Sequence, residues 1–259
     1  MRAIGKLLLV FIIALILTVP ITASDTIGWY CIRTKDHTQP VLDSYLSKAD
    51  RYKDLIWIDK KHSSFDDKEK VIYLTFDAGY ENGNIEKILD ILKEENVKAT
   101  FFILDNLIYS NRTLVERMIN EGHLIGNHTC KHRDMSKVAD IEIFKRELCS
   151  LEELFKENFG VEMSKFYRPP EGRLSLDNLM WAEKLGYKTV MWSFAYADWD
   201  NNNQMSADKA LGKILPNLHN GEVMLLHPTS STNVEIMKSL INELKGLGYK
   251  FGRVDEINN

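Results

Sequence analysis

The side chains best suited to chemistry recur at one kind of place, just beyond short apolar runs. Thr75-Phe76-Asp77-Ala78-Gly79-Tyr80 sets a carboxylate at the end of such a run. Asp before Gly is also a common turn, so this signal alone is weak. Asn127-His128-Thr129-Cys130-Lys131-His132 carries two imidazoles. If the segment is one helical turn they face the same side, a spacing suited to pairing on Zn2+. A surface turn with two solvated histidines is the bland reading, and Cys130 would point away from both rings in a helical turn.

Three further segments add to the set. In Tyr167-Arg168-Pro169-Pro170-Glu171-Gly172 the prolines hold the preceding arginine extended. A guanidinium fixed beside a cleft can pin a carboxylate. Asp198 lies among Phe194, Tyr196 and Trp199, a composition that suits contact with the apolar faces of sugars and equally suits ordinary core. His227 follows Val223-Met224-Leu225-Leu226, where an imidazole is well placed as a general acid. A structural histidine is the commoner case. Together, two histidines, two aspartates, an arginine and a further histidine at successive run ends fit metal-assisted hydrolysis.

The apolar runs must be the strands that position these groups. Strands are predicted at Val71–Phe76, Ala99–Leu104, Leu124–Gly126, Lys165–Arg168, Lys188–Ser193, Glu222–Leu226 and Tyr249–Arg253. Between them, helices are predicted near Ile85–Glu95, Arg112–Glu121, Ile141–Asn158, Leu176–Leu185, Ala207–Asn217 and Asn233–Leu247. Gly122, Gly186 and Gly248 stand just past helices, where a left-handed cap is wanted. Strand–helix alternation implies an α/β fold with parallel strands, a barrel or else an open doubly wound sheet. In both, chemistry collects at the carboxyl ends of the strands.

The 259-residue chain has 33 basic and 37 acidic residues, a formal charge of −4, which argues against a nucleic-acid partner. Arg2 and Lys6 precede an apolar run from Leu7 to Val19, then Pro20 and small residues to Ser24. Residues 1–24 therefore read as a signal peptide or a retained N-terminal anchor, the apolar run itself being too short to span a bilayer comfortably. Either way the chain is expected to act outside the cytoplasmic membrane. Residues 25–70 read as a polar, irregular lead-in that packs on a single domain, 71–254. The three cysteines Cys31, Cys130 and Cys149 imply no disulfide framework and read as small buried apolar side chains.

Thr75-Phe76-Asp77-x-Gly79, His128-Thr129-x-x-His132, Arg168-Pro169-Pro170-x-Gly172, Asp198-Trp199 and Leu225-Leu226-His227 resemble the five ordered motifs of the polysaccharide deacetylases. These form carbohydrate esterase family 4, the NodB homology domain. Gly79-Tyr80-Glu81-Asn82-Gly83 and Asn202-Asn203-Gln204 resemble, more narrowly, the muramic δ-lactam-forming de-N-acetylases of spore-forming bacteria. The resemblance implies a distorted (β/α)7 barrel. It implies Asp77 as general base, Arg168 as its orienter, and His128 and His132 as ligands of a divalent metal, zinc in most of the family. It implies His227 as the acid that protonates the amine, with Asp198 tuning it, and Tyr80, Asn82 and Trp199 as substrate contacts. The implied substrate is N-acetylmuramic acid in peptidoglycan glycan strands of spore cortex, at the forespore envelope. An N-acetylmuramoyl-L-alanine amidase acts on these strands first.

One position departs from the pattern. The commonest first motif carries a second aspartate as third metal ligand, and here that position is Ala78. The subgroup also lacks this aspartate as a rule, so a two-histidine site completed by water or substrate is expected, with Asp134 or Asn127 as alternative ligands. A deacetylase of another N-acetylated glycan, in peptidoglycan or chitin, and a non-catalytic glycan-binding protein are the competing functions.

Overall fold

The computed structural model describes residues 26–64 and 68–258; the basic–apolar segment 1–24 lies outside the described residues. In chain order the strands are β1 (Ile27–Gly28), β2 (Leu55–Ile56), β3 (Lys70–Ala78), β4 (Thr100–Ile103), β5 (Leu124–Asn127), β6 (Phe166–Tyr167), β7 (Arg173–Leu174), β8 (Lys188–Val190), β9 (Phe194–Ala195), β10 (Glu222–Leu226) and β11 (Tyr249–Gly252). The helices are α1 (Ile85–Glu94), α2 (Asp105–Asn120), α3 (Ile141–Phe159), α4 (Leu176–Lys184), α5 (Ala207–Ile214) and α6 (Ser231–Gly246). Nine strands form one curled sheet in the order β2-β8-β6-β5-β4-β3-β10-β9, with β11 also on β3. Every pairing in it is parallel. This is the α/β half-barrel of the (β/α)7 type anticipated from the alternation and from the family motifs.

Side-chain parity along the strands decides what the curl encloses. Ile72, Leu74, Phe76 and Ala78 of β3 pack outward with α1, α2, α5 and α6 residues, in one cluster that also holds Phe101, Ile103, Met224 and Leu226. The alternate positions turn inward: Tyr73, Phe102, Val190 and Val223 share a second cluster with partly buried Leu124 and Phe166. Continuing that inner parity to the carboxyl ends places Asp77, His128, Arg168 and His227 on the inside of the mouth. Each fully buried Ile, Leu or Phe contributes about 1.5–3 kcal/mol, so both layers resist the one-residue slip that would turn the reactive set outward.

The lead-in is less irregular than its composition implied. Its β2 pairs with β8 through Leu55↔Thr189 and Ile56↔Val190, and Ile58 bridges Glu222 of β10. Residues 55–58 thus span the seam that the curled sheet leaves between β8 and β10. Its β1 pairs antiparallel with β7. At the floor, Tyr73 donates a 2.6 Å hydrogen bond to Asp59, and the Gln39 amide lies 2.8–3.0 Å from the carbonyls of Asp59, His62 and Asn220. Gly221 has φ +73°, and a Cβ there would sit 2.4 Å from the Asp59 carbonyl oxygen. Gly221→Ala is therefore expected to destabilise the fold by about 2–4 kcal/mol, from left-handed backbone strain plus overpacking against main chain. Urea unfolding monitored by tryptophan fluorescence measures this, and an unchanged midpoint would refute it.

Three sequence expectations need correction. The strand predicted at Lys188–Ser193 ends at Val190; the chain then crosses the seam and pairs with β10 as β9. Helix α2 begins seven residues before the predicted start and kinks at Asn111 (φ −140°), with no side-chain cap to signal its beginning. The cysteines are free and only half-buried, and two donate hydrogen bonds: Cys31 to the Trp192 carbonyl and Cys130 to Asp105. Gly122, Gly186 and Gly248 do take left-handed backbone, and α1, α3 and α4 start at their predicted residues.

Candidate active site

Asp77 and Arg168 form the centre of the mouth. Arg168 is fully buried and donates from Nη1 to Asp77 Oδ1 at 2.8 Å. Its Nε and Nη2 donate to the carbonyls of Val190 and Met191 at 3.1 and 3.2 Å, while its guanidinium lies 4.2 Å from the centre of the Phe102 ring. Two carbonyls, one ring and one carboxylate thus leave it a single orientation. Burial alone would push the Asp77 carboxyl up, but His128, Arg168 and His227 outweigh it and hold it below the usual carboxylate range. Asp77 is therefore an ionised, largely desolvated carboxylate.

The turn after Arg168 is strained in a way that serves this packing. Glu171 and Gly172 both have left-handed backbone (φ +58° and +64°). A Cβ on Gly172 would come within 2.5 Å of the Trp192 ring. The Gly172 carbonyl accepts from Trp29 N–H at 2.9 Å, so the lead-in buttresses the arginine turn from outside.

His128 and His132 come together, but not through a helical turn. The segment is a loop in which Thr129 and His132 have φ +73° and +53°, and the two rings meet edge to face with centroids 5.1 Å apart. Side chains hold this loop: Thr129 N–H donates to Asn127 Oδ1 at 2.8 Å, and His132 N–H to Thr129 Oγ1 at 3.0 Å. His128 Nδ1–H donates to the Arg168 carbonyl at 2.8 Å, so Nε2, 3.5 Å from Asp77 Oδ2, keeps its lone pair. Burial lowers His128 to about 4, which keeps the ring in the neutral form that ligates metals.

The alternative ligands are spoken for. The Asn127 amide donates to the Leu148 carbonyl and the Tyr187 hydroxyl at 3.0 and 2.9 Å. Asp134 caps Ser136 and pairs with Arg173 and Lys137. Cys130 turns to Asp105, away from the rings. Among the described residues, no third His, Cys, Asp or Glu completes a cluster able to hold a metal. The donors present therefore fit a divalent cation that His128 and His132 would hold.

Just past the end of β10, the strand next to β3, His227 follows Leu226, the register partner of Phe76, and Asp198 grips it twice. Its Oδ1 accepts from His227 Nδ1 at 2.7 Å and its Oδ2 from His227 N–H at 2.8 Å, leaving Nε2 for proton exchange. Burial would lower the His227 pKa, but the Asp198 bond and charge, with Asp77, outweigh it and raise the ring above the ordinary imidazole value. Asp198→Asn leaves burial unopposed by that charge. The protonated ring then persists only at lower pH, and the alkaline limb of the kcat profile is expected to move to lower pH with roughly 10- to 100-fold lower kcat. An alkaline limb in D198N at the wild-type pH would contradict this.

Trp199 and Tyr80 stand on the rim, 65% and 49% exposed, and Asn201 donates to the Tyr80 hydroxyl at 2.7 Å. Asn82 is also on the rim, but its amide donates to the Thr229 carbonyl at 2.8 Å, as does that of Asn84. One further group was not singled out in the sequence. Asn233, fully buried in the first turn of α6, donates to Asp198 Oδ2 at 2.6 Å and to the His227 carbonyl at 2.9 Å. Its only signal was the Ser230-x-x-Asn233 spacing of a helix cap.

A buried, ionised carboxylate, a carboxylate-paired imidazole and two adjacent histidines thus gather at the carboxyl ends of neighbouring parallel strands. The chain belongs to the polysaccharide deacetylases, whose family model matches residues 65–190. It is 37% identical over 238 residues to the peptidoglycan-N-acetylmuramic acid deacetylase PdaA of Bacillus subtilis, across 90% of this chain and 86% of that protein. The solved structure of that PdaA, a family 4 carbohydrate esterase, superposes with a TM-score of 0.82 at 35% identity, over 92% of this chain and 98% of that one. A peptidoglycan-N-acetylglucosamine deacetylase of Bacillus cereus is 35% identical over 201 residues, 75% of this chain and 71% of the relative.

Proposed function

We propose that the protein removes the acetyl group of N-acetylmuramic acid in peptidoglycan glycan strands, releasing acetate and a free sugar amine. The observation that carries this is the juxtaposition, at the ends of the adjacent strands β3 and β10, of Asp77, locked and kept ionised by Arg168, and His227, paired with Asp198. A base and an acid of opposite protonation state are thus available together. Asp77 takes a proton from the attacking water as its oxygen adds to the acetyl carbon. His227 Nε2–H then protonates the nitrogen as the C–N bond breaks, so the amine leaves neutral. His128 and His132 would hold a divalent cation, Zn2+ in this reading, which when bound polarises the acetyl carbonyl and lowers the pKa of water. Trp199 and Tyr80 offer aromatic faces to the sugar ring.

The similarity to PdaA along nine-tenths of this chain supports muramic acid over other sugars. In that reading the amidase removes the peptide stem first, and the freed amine stands beside the lactyl carboxyl with which a δ-lactam forms in spore cortex. Action at the cell wall accords with the basic–apolar segment 1–24, read as a signal peptide or anchor. Among the described residues no helix is long and apolar enough to cross a membrane.

Mass spectrometry of peptide-free muramoyl glycan strands incubated with the enzyme and zinc tests this. Loss of one acetyl group per muramic acid is expected. Loss confined to N-acetylglucosamine would keep the chemistry and move the substrate, and no loss on either sugar would leave glycan binding without turnover. Zinc titrated into metal-free protein is expected to bind more weakly than at a three-ligand site, and not at all after His128→Ala with His132→Ala. Affinity unaltered by the double change would remove both residues from the metal's coordination.

A further inference from the structure

We propose that Asn233 is a positioning residue of the acid: it clamps the Asp198 carboxylate and the His227 main chain together so that the imidazole faces substrate in one orientation. The inference rests on His227 acting as the acid, as proposed above. β9 pairs with β10 through Phe194↔Met224 and Ala195↔Leu225, but Asp198 lies in the loop after β9 and His227 just past the end of β10, so the strand pairing stops short of both. Asn233 joins them from a third element. Its two amide hydrogens serve Asp198 Oδ2 at 2.6 Å and the His227 carbonyl at 2.9 Å. Both partners can only accept, which fixes which end of the amide faces them.

The other end of the amide is fixed as well. The Tyr196 hydroxyl donates to Asn233 Oδ1, so an amide flip would break three bonds at once. Asn233 is itself anchored, its N–H donating to Ser230 Oγ at 3.1 Å. Ser230 in turn donates to Gln204 Oε1, whose amide faces the Asp198 and Asp200 carbonyls at 2.9 and 2.7 Å. The loop bearing Asp198 and the helix bearing Asn233 are therefore tied at side chain and main chain alike. The charged groups bearing on His227 are Asp198, Asp77 and Arg168, and the titratable groups that contact Asn233 are Asp198 and Tyr196.

The test compares full-length wild type with Asn233→Ala, Asn233→Asp, Tyr196→Phe and His227→Ala. Steady-state kinetics on peptide-free glycan strands, at acid and alkaline pH, are paired with thermal melts. N233A is expected to lower kcat roughly 10- to 100-fold with KM nearly unchanged. In N233D two carboxyls share a proton below their upper macroscopic pKa. That proton restores one donor to Asp198, so N233D recovers toward wild type as pH falls while N233A does not. Y196F keeps the buried volume but frees the amide, and kcat falls several-fold.

A wild-type kcat in N233A overturns the inference, as does an N233D loss of equal size at every pH. Should N233A fail to fold, N233D and Y196F decide by the same criteria. His227→Ala separates the two claims: full activity there removes the acid assignment, whereas its loss beside an unaffected N233A removes only the role of Asn233. A readout free of turnover completes the test. The Nδ1 proton of His227 is expected as a slowly exchanging low-field resonance in wild type, lost in N233A and regained in N233D at low pH. Its persistence in N233A overturns the proposal whatever the substrate.

Discussion

Asp77→Asn is expected to abolish most turnover while leaving the fold in place. Asparagine keeps the shape and an Oδ1 that can still accept from Arg168 Nη1, now at 2.8 Å from Asp77, but it cannot take a proton from water. A positioned general base contributes roughly 10²- to 10⁴-fold, so kcat should fall by about that factor with KM little changed. Because a charge-assisted bond becomes a neutral one beside a buried cation, stability should fall by about 1–3 kcal/mol. Steady-state kinetics and urea unfolding on the same preparation separate the two effects. If D77N keeps kcat within tenfold of wild type, the base lies elsewhere.

Arg168→Ala is expected to be the most damaging substitution for stability. The side chain is fully buried, and its loss strands the Asp77 carboxylate, orphans the Val190 and Met191 carbonyls and leaves a cavity against Phe102. Breaking a buried ion pair by removing one partner costs about 3–5 kcal/mol, a large fraction of a typical domain's stability. Arg168→Lys should retain part of the stability and little activity, since one ammonium cannot meet a carboxylate and two carbonyls in divergent directions. Chemical denaturation decides: an R168A midpoint near wild type would mean that these contacts are not formed together in solution.

Both effects follow from burial that the strand sequences imply but do not locate. A run such as Val71-Ile72-Tyr73-Leu74-Thr75-Phe76 is apolar at every position because parallel strands are covered on both faces. Its existence was legible in the sequence, though the strand runs on to Ala78 and takes in Asp77, and so was the rule that reactive groups gather at carboxyl ends. Which alternate residue faces the interior was not. Only the curl of the sheet, with Tyr73 inward and Leu74 outward, gives Asp77 the inner parity. The same holds for His227 after Leu226 and for Arg168 after Tyr167.

By itself the sequence determined the alternation that builds the half-barrel, the glycine caps and the reactive residues at the run ends, the two histidines among them, because these depend on local periodicity and residue type; the pairing of Asp77 with Arg168 and of Asp198 with His227 was implied only by the family resemblance. The tertiary structure decided three things that depend on residues far apart in the chain. It made residues 55–58 the seam between β8 and β10, although their surroundings are too polar to read as sheet. It brought His128 and His132 together through a loop with two left-handed residues held by Asn127 and Thr129, not through helical spacing. And it recruited Asn233, 35 residues beyond Asp198, to the acid pair. A buried amide has no periodicity and no charge of its own to betray it, and its role arises only where three elements converge and every polar atom must find a partner.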